Sequence, residues 1–410
     1  MKKTLITVLV CCLLSAALSS CANMPWGTFG GNASPDITFD VPTEPPEDSP
    51  ELSPTPDPTP EPTPTPSPNP SARIQMAGDI LIHSALRDST KLEGGGYDFK
   101  PYWTEIKPYI NGDITICNME GPVDVHGNDA DMTTYPQFNT PLEILDSLKF
   151  AGFDTLITAN NHAYDKGYDG LAATRANIES KGFNVTGTNT SQEQYDEYLI
   201  LDANGLKVGI IAYSEIDNGL GGLIPSDKRP FAMRRFNVGT ADVEKMAADM
   251  QACRNAGADM IILSLHWGAE YVNKPTDAMA KMARELAEAG ADVVMGNHSH
   301  CVQPMEWIDT SRGRRLIIYS LGNFFVDQNA LDPPVPKTQY GMIVNVTAEL
   351  SGGELLVNAD YLPTFMRKYR IDGKNTYMLL PAEANPDVAQ AAFDHVTSIV
   401  GDAVAVFSEQ

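Results

Sequence analysis

The sequence predicts an α/β domain made of two packed β-sheets with helices on the outside. A first observation is a pattern that occurs three times: Ala-Gly-x-Asp, a short apolar run and a polar loop with histidine, beginning at Ala151, Ala256 and Ala289. A second is that predicted helices alternate with apolar strands and that glycines separate them, which favours α/β layering. A third is a C-terminal region that reads as a hairpin about residues 351–353, which indicates antiparallel strands joining a second sheet.

The first 70 residues are predicted to lie outside the folded domain. Residues 1–20 combine two lysines with an apolar run, which is typical of a secretion signal and too short for a stable membrane span. The signal ends in Leu-Ser-Ser-Cys21, which resembles a bacterial lipobox, so Cys21 is expected to carry lipid. The alternative is an ordinary cleaved signal and a secreted protein. Residues 21–70 hold 15 of the 30 prolines, which predicts a disordered, extended spacer.

The charge of the chain excludes one class of partner. The formal net charge is −24, and because the signal holds two lysines and the spacer eight acids, about −18 of it belongs to residues 71–410. A surface this acidic argues against nucleic-acid binding. A polyanionic substrate would need metal ions, or local Arg and Lys side chains, to compensate for the acidic surface.

Short apolar runs predict strands that are covered on both faces. They are Arg73–Gly78, Asp113–Asn118, Thr155–Ala159, Lys207–Ser214, Met260–Leu265, Val293–Gly296 and Leu316–Leu321, with a hairpin of Gly341–Leu350 and Glu354–Leu362. Only three cysteines, Cys117, Cys253 and Cys301, lie in this region, and an odd number so widely spaced does not indicate a disulfide framework.

Amphipathic segments with proline, threonine or glycine at their ends predict the helices. They are Pro141–Phe150, Tyr168–Lys181, Thr240–Asn255 with Thr240 as its cap, Asp277–Ala289 and Pro386–Phe407. The folded domain is expected to span residues 71–370. Residues 371–410 are expected to be a C-terminal extension whose helix packs on that domain.

Residues suited to metal chemistry follow the predicted strands. Four of the seven histidines, His162, His266, His298 and His300, occur there. An open α/β sheet gathers ligands beyond the carboxyl ends of its strands. Imidazoles and carboxylates that converge at such an edge predict a transition-metal site.

The loops after the first two strands supply carboxylates. Asp79 follows Gly78 and is a candidate metal ligand, although it could instead cap the next turn. Glu120 could bridge two metals or act as a base, with a solvated loop acid as the alternative. His83 is a possible ligand, or else an ordinary surface imidazole.

The loop Asn160-Asn161-His162-x-x-Asp165 is the richest in polar groups. An Asn carbonyl oxygen can bind a metal, and His162 could protonate a leaving oxygen while Asp165 orients its ring. An Asx-turn that opens the next helix is the alternative, and it explains one Asn only.

The remaining histidines end two further strands. His266 is a candidate ligand or a hydrogen-bonded core residue. The pair His298-Ser-His300, at strand spacing, would place both rings on one face about 6–7 Å apart, which suits two neighbouring metals better than one. Two satisfied loop histidines are the alternative. Asn323, in Ser-Leu-Gly-Asn-Phe-Phe, could reach substrate, although a structural turn is its simpler role.

Six motifs occur in one order along residues 72–330. They are Gly78-Asp79, Asn118-x-Glu120, Ala159-Asn-Asn-His162-x-x-Asp165-x-Gly167, His266-Trp-Gly-x-Glu270-Tyr271, Gly296-x-His298-x-His300-x-x-Gln303 and Ser320-Leu-Gly-Asn-Phe324. Together they resemble the CapA family of poly-γ-glutamate capsule biosynthesis proteins, which is similar to the calcineurin-type metallophosphoesterases. The resemblance implies a metallophosphatase-like α/β/β/α sandwich.

The resemblance also implies roles for individual residues. It implies metal ligation by Asp79, Glu120, Asn161, His266, His298 and His300, catalysis by His162 with Asp165, and substrate contacts by Asn160, Glu270, Gln303 and Asn323. This sequence departs from the wider superfamily in three places. His83 lies four residues after Asp79 where Asp-x-His is usual, Glu120 stands where an Asp usually bridges, and Asn297 and Ser299 flank His298.

The expected function is therefore that of a CapA-like protein in the biosynthesis or export of an anionic capsule polymer, poly-γ-glutamate. One or two divalent metals (Mn, Zn, Fe or Mg) would support hydrolysis of the phosphoesterase type. The expected location is the extracellular face of the bacterial cytoplasmic membrane, with the bilayer bound through Cys21. Expected partners are the polymer or a phosphoester and membrane capsule synthase subunits, and not nucleic acid. The alternatives are a non-catalytic polymer-binding or scaffold subunit, and a peptide or isopeptide hydrolase acting on capsule or cell wall.

Overall fold

A computed structural model describes residues 69–239, 242–328 and 337–407. The predicted signal, Cys21, the spacer before residue 69 and the predicted helix cap Thr240 lie outside the described residues. No helix within the described ranges is long and apolar enough to cross a membrane.

The described residues form fifteen strands and eight α-helices. The strands are β1 (Ser71–Leu81), β2 (Ile114–Met119), β3 (Thr155–Ile157), β4 (Asn184–Thr186), β5 (Leu199–Ala203), β6 (Leu206–Ser214), β7 (Met260–His266), β8 (Val293–Asn297), β9 (Met305–Thr310), β10 (Gly313–Ile318), β11 (Asn323–Val326), β12 (Tyr340–Ser351), β13 (Glu354–Ile371), β14 (Lys374–Pro381) and β15 (Ala405–Val406). The helices are α1 (Ser84–Ser89), α2 (Glu143–Ala151), α3 (Gly167–Ser180), α4 (Gln192–Asp196), α5 (Arg229–Ala232), α6 (Asp242–Asn255), α7 (Asp277–Ala289) and α8 (Pro386–Val400).

The strands build two sheets, as predicted. The first has the order β14-β13-β12-β1-β2-β3-β4, with β11 beside β1 and β15 beside β13. The second has the order β5-β6-β7-β8-β10-β9. Strands β1 to β4 run parallel to one another, as do β6, β7, β8 and β10. Each sheet therefore presents several carboxyl strand ends at one edge.

Alternating side chains divide the core into layers. Met260 and Ile262 of β7 pack with residues of both sheets in the central layer. Their neighbours Ile261 and Leu263 pack instead with helices α6 and α7. The outer face of the first sheet is covered by α2 and by the 3₁₀-helical turn that carries Trp103. The fold is the metallophosphatase-like sandwich that the sequence predicts.

One predicted strand ends earlier than expected, and a second strand begins just after it. The apolar run Leu316–Leu321 was expected to be continuous, but β10 ends at Ile318 and the chain crosses to the first sheet, where β11 pairs with β1. The crossing is very close: a Cβ on Gly296 would lie 1.9 Å from the Tyr319 oxygen. The apolar pattern hides this switch because both segments are buried.

The C-terminal hairpin is present but longer than predicted. Ser351 of β12 pairs with Glu354 of β13, and β13 continues to Ile371 and pairs with β14. The predicted domain boundary between residues 370 and 371 falls inside this second hairpin. Helix α8 ends at Val400, earlier than predicted, and Val400 itself packs in the central core.

Candidate metal centre

The six predicted metal ligands converge at the edge where both sheets end. Each is at most 4% exposed. They are Asp79 in β1, Glu120 after β2, Asn161 after β3, His266 at the end of β7, and His298 and His300 after β8. Two groups of nitrogen and oxygen atoms are close enough to hold a cation: Glu120, His266 and His298 form one, and Asp79, Glu120 and His300 form the other.

Three atoms that could bind a metal or accept a hydrogen bond surround Nε2 of His266. Asn161 Oδ1 lies 2.7 Å from it and His298 Nδ1 lies 3.1 Å from it. Glu120 Oε1 is 3.7 Å away. One imidazole N–H can satisfy only one of these acceptors. Ligands that each sit about 2.0–2.2 Å from a transition-metal ion stand roughly 3.0–3.5 Å from one another. The three distances lie on both sides of this range, so small shifts of these side chains would let them share a cation.

Glu120 belongs to both groups. Its carboxylate is fully buried, and neither oxygen has a hydrogen-bond partner among the described residues. Burial raises the pKa of Glu120 well above its usual range, and Asp79 raises it further. A buried carboxylate without protein donors is costly unless a cation meets it. Its position fits a bridge between two metals.

The second group is centred on His300. Its Nδ1 lies 2.9 Å from Asn323 Oδ1 and 3.3 Å from Asp79 Oδ2. Its Nε2 lies 3.9 Å from Glu120 Oε1. Burial alone would lower the pKa of His300, but the facing carboxylates of Glu120 and Asp79 outweigh it and raise the pKa to about 9. The cluster thus attracts positive charge, as a cation site must.

The two histidines of the His-x-His motif are not in a strand. β8 ends at Asn297, and His298 and His300 have left-handed backbones with φ of 95° and 56°. The predicted strand spacing is therefore wrong, although the ring centroids are 6.1 Å apart, within the predicted separation. The turn places the His298 ring in the first ligand group and the His300 ring in the second. The alternative of two satisfied loop histidines explains neither the nearby unpartnered carboxylate nor this divergence.

The imidazoles of the first group are held neutral. Burial lowers the pKa of His266 well below its usual value, and the neighbouring His298 lowers it further. Burial and His300 together lower the pKa of His298 to about 3. Metal ligation requires the neutral imidazole, so neither ring has to lose a proton at neutral pH.

His162 and Asp165 form a dyad beside the metal ligands. His162 Nδ1 is 2.8 Å from Asp165 Oδ2, which also accepts from the Phe138 backbone N–H at 2.7 Å. The Phe138 ring meets the His162 ring edge-on, with centroids 4.8 Å apart. Because the acceptor-only carboxylate fixes the proton on Nδ1, Nε2 is left for proton transfer.

Comparison with known proteins places these residues in a family. The model of the family described as bacterial capsule synthesis protein PGA_cap matches residues 73–328, which is more than half of the chain. The chain belongs to this family. All of the predicted metal-ligand and dyad residues lie within the matched region.

Two relatives from Bacillus are named for capsule or PGA biosynthesis. "Capsule biosynthesis protein CapA" of Bacillus anthracis is 26% identical over 260 residues, which are 62% of this chain and 59% of that protein. "PGA biosynthesis protein CapA" of Bacillus subtilis (strain 168) is 27% identical over 254 residues, which are 61% of this chain and 62% of that protein. The chain thus spans about three fifths of the length of these relatives.

A more distant relative carries an enzyme name. "5'-nucleotidase" of Vibrio vulnificus (strain CMCP6) is 23% identical over 252 residues, which are 59% of this chain and 43% of that protein.

Three of the four predicted substrate residues form side-chain hydrogen bonds within the protein. Asn160 donates to Asn118 Oδ1 at 3.2 Å and to the Met119 carbonyl at 2.9 Å. Gln303 donates to the Val272 carbonyl at 3.0 Å. Asn323 holds the ring of His300 and donates to Gln328 and the Thr338 carbonyl. Substrate contact by these three stays a prediction.

Glu270 differs from those three residues because it faces solvent. Its side chain is 41% exposed, and its Oε1 lies 3.9 Å from His300 Nε2. It therefore lies between His300 and solvent, and its contact with substrate stays a prediction.

His83 is buried, so the alternative that it is an ordinary surface imidazole is wrong. It is 4% exposed, and its Nδ1 has no partner among the described residues. Its ring lies edge-on to Phe138 with centroids 5.3 Å apart. Burial lowers the pKa of His83 to about 4. It falls outside both ligand groups.

Two asparagines of the site were not among the predicted residues. Asn118 Nδ2 donates to Asp79 Oδ1 at 2.7 Å and lies 3.5 Å from His266 Nδ1. Asn218 Oδ1 accepts from Asn161 Nδ2 at 3.2 Å. The sequence held a signal for each: Asn118 ends a predicted strand, and Asn218-Gly219 is a turn dipeptide that follows another.

Proposed function

We propose that this protein is a divalent-metal-dependent hydrolase of the phosphoesterase type that acts in the biosynthesis or export of poly-γ-glutamate capsule. The observation that carries the proposal is the buried, unpartnered carboxylate of Glu120 shared by two groups of ligand atoms. Two neighbouring cations are the arrangement used to transfer phosphoryl groups.

The residues divide into two cation sites. His266, His298 and Asn161 would hold one cation and Asp79 with His300 the other, with Glu120 between them. Bound cations supply Lewis acidity for a water nucleophile and neutralise charge on the phosphoryl oxygens. Asn118 keeps Asp79 oriented through the bond to its Oδ1. The nitrogen and oxygen donors suit Mn, Zn or Fe, and Mg is less compatible with three imidazoles.

His162 is the group placed to move a proton. Asp165 holds its Nδ1–H, so its Nε2 can carry a proton and deliver it to a leaving oxygen. The Phe138 backbone N–H fixes Asp165 in turn, and the Phe138 ring limits rotation of the imidazole.

The sequence and the relatives' names support the proposed place of action. Two Bacillus relatives are named for capsule and PGA biosynthesis, which supports an anionic polymer as the end product. The signal, Cys21 and the proline-rich spacer support lipid anchoring at the extracellular face of the cytoplasmic membrane. The cations would offset the acidic surface toward an anionic substrate.

The first prediction tests His162. Full-length protein in detergent is assayed against phosphodiesters, nucleotides and poly-γ-glutamate, with Mn²⁺, with Zn²⁺ and with chelator. Removing a positioned proton donor typically costs about 10²–10⁴-fold, so His162→Ala should lose at least about 100-fold in kcat. Metal content should stay unchanged, because the described ligand groups do not include His162. His126→Ala is the matched control, since His126 has a side chain that is 63% exposed.

Other outcomes point to the alternatives. Less than about 0.2 metal per chain without rescue by added metal would contradict the proposal, since a preorganised site retains its ion. Retention of poly-γ-glutamate by such a protein would indicate a binding or scaffold role. Cleavage of the polymer's amide bonds without phosphoesterase activity would indicate an isopeptide hydrolase.

A further inference from the structure

The loop that follows β6 reaches the predicted metal ligand Asn161. Its first residues are held by several hydrogen bonds. Glu215 N–H donates to the His266 carbonyl at 2.9 Å, and Glu215 Oε2 accepts from Gly268 N–H at 2.9 Å. Arg235 donates to the Ser214 carbonyl at 3.0 Å and to the Glu215 carbonyl at 2.7 Å. These bonds hold the loop against the end of β7, which supplies His266.

The tip of this loop is Asn218, in a backbone conformation that few residues accept. Its φ is 51°, and that of Gly219 is 72°. Asn adopts the left-handed region more readily than most side chains. Asp217 stabilises the turn, because its Oδ1 accepts from Gly219 N–H at 3.0 Å and its carbonyl accepts from Leu220 N–H at 2.8 Å.

The side chain of Asn218 contacts the amide of Asn161. Asn218 Oδ1 accepts from Asn161 Nδ2 at 3.2 Å, which leaves Asn161 Oδ1 only 2.7 Å from His266 Nε2. A rotated Asn161 amide would present its NH₂ donors to the ligand cluster. Donors cannot ligate a cation, so the rotated form would remove one ligand.

We propose that Asn218 is a positioning residue that selects the metal-ligating orientation of Asn161. The proposal rests on the proposed function in one respect, namely that Asn161 ligates the cation. Partners of this kind typically change metal affinity about 10–100-fold when they are removed. Asn218 is exposed, whereas Asn161 is 2% exposed, so a surface loop sets the geometry of a buried ligand.

Two substitutions separate the side chain from the backbone. Asn218→Gly tolerates the positive φ but removes the acceptor. Asn218→Asp keeps an acceptor for Asn161 Nδ2. Asn204→Gly is the matched control, because Asn204 is also exposed, has a φ of 53° and precedes a glycine, but lies in the β5–β6 turn.

Mn²⁺ and Zn²⁺ affinities are measured by competition with a chelator on the full chain. We expect Asn218→Gly to weaken binding about 10-fold or more, and Asn218→Asp and Asn204→Gly to stay within about threefold of the unmodified protein. Unchanged affinity in Asn218→Gly would overturn the proposal, as would an equal loss in Asn218→Asp.

A second readout needs no metal. In metal-free protein labelled with ¹⁵N-asparagine, the side-chain amide of Asn161 is identified by its absence in Asn161→Asp. We expect its exchange with solvent to be slow in the unmodified chain and in Asn218→Asp, and faster in Asn218→Gly. Equal exchange in all three would overturn the proposal even if the protein binds no metal, whereas absent metal binding alone contradicts only the proposed function.

Discussion

Facing charges, rather than burial alone, decide the protonation of the imidazoles at the site. His83, His298 and His300 are all at most 4% exposed. Burial lowers the pKa of His83 to about 4, and burial and His300 together lower that of His298 to about 3. His300 instead has a pKa of about 9, because Glu120 and Asp79 face it. One strand-end cluster therefore contains both neutral and cationic rings when no metal is bound.

The lowered pKa of His83 predicts a loss of stability in acid. The unfolded chain binds a proton at His83 with a pKa near 6.5, whereas the folded chain binds it only near 4. The stability contributed by the neutral ring is therefore present above pH 6.5 and is lost as the pH falls toward 4. Between pH 7.5 and pH 5 this amounts to about 2 kcal/mol.

Urea unfolding of the metal-free protein at these two pH values measures the effect. His83→Gln should lose about 2 kcal/mol less than the unmodified chain between them. His126→Gln, at an exposed position, should behave like the unmodified chain. If His83→Gln and the unmodified chain lose the same free energy of unfolding between the two pH values, the loss does not come from His83.

At the scale of elements, close backbone crossings place the ligands. Residues 319–322 pass from the second sheet to the first between the ends of β8 and β1. A Cβ on Gly78 would lie 1.8 Å from the Gly322 oxygen. Asp79 N–H donates to that oxygen at 3.1 Å, so the crossing also fixes the residue that carries a ligand.

Gly78→Ala is therefore expected to destabilise the fold and disturb Asp79 together. Overpacking of this kind costs about 1–3 kcal/mol, and the backbone contact favours the upper end of this range. We expect a lower urea midpoint and weaker metal binding than in the unmodified chain. Gly94→Ala is the control, since a Cβ there meets nothing within 4 Å. Wild-type stability in Gly78→Ala would mean that the crossing can relax.

The strand-end positions of the ligands were predictable because apolar strands can be recognised one by one. Asp79, Glu120 and His266 each follow such a run, and parallel strands deliver their ends to one edge. Some short or polar strands were not predicted: β4 has three residues, and β13 continues past Pro363 through a segment with three basic residues. The left-handed turn at His298 and His300 was not predicted either, because the turn contains neither glycine nor proline.

At the scale of the whole molecule, the two sheets share the site. Asp79, Glu120 and Asn161 come from the first sheet, and the three histidines of the ligand groups come from the second. Sequence reasoning brought these residues to a common edge, but it did not assign strands to sheets. Asn218 was not assigned a role from the sequence, because its contact with Asn161 joins a loop of the second sheet to a loop of the first and depends on how close the two sheets stand.

Cations held between two sheets should stabilise the whole fold, and this stabilisation should depend on the carboxylate of Glu120. At a metal concentration 100 times the Kd, binding adds about 2.7 kcal/mol to the free energy of unfolding. For a domain of this size that is roughly 4 °C in Tm. Thermal unfolding with added metal and with chelator measures the difference.

Glu120→Gln is expected to affect the Tm differently in chelator and in added metal. Burial raises the pKa of Glu120, so at neutral pH its carboxyl group destabilises the metal-free fold, and the neutral amide removes that cost. The chelated variant should therefore unfold at a Tm equal to or above that of the unmodified chain, yet gain little when metal is added. Glu285→Gln, at an exposed helix position, should keep the full gain. If Glu120→Gln retains the metal-dependent gain, Glu120 is not the carboxylate shared by two cations. If it lowers the Tm in chelator, the buried carboxyl group does not destabilise the metal-free fold.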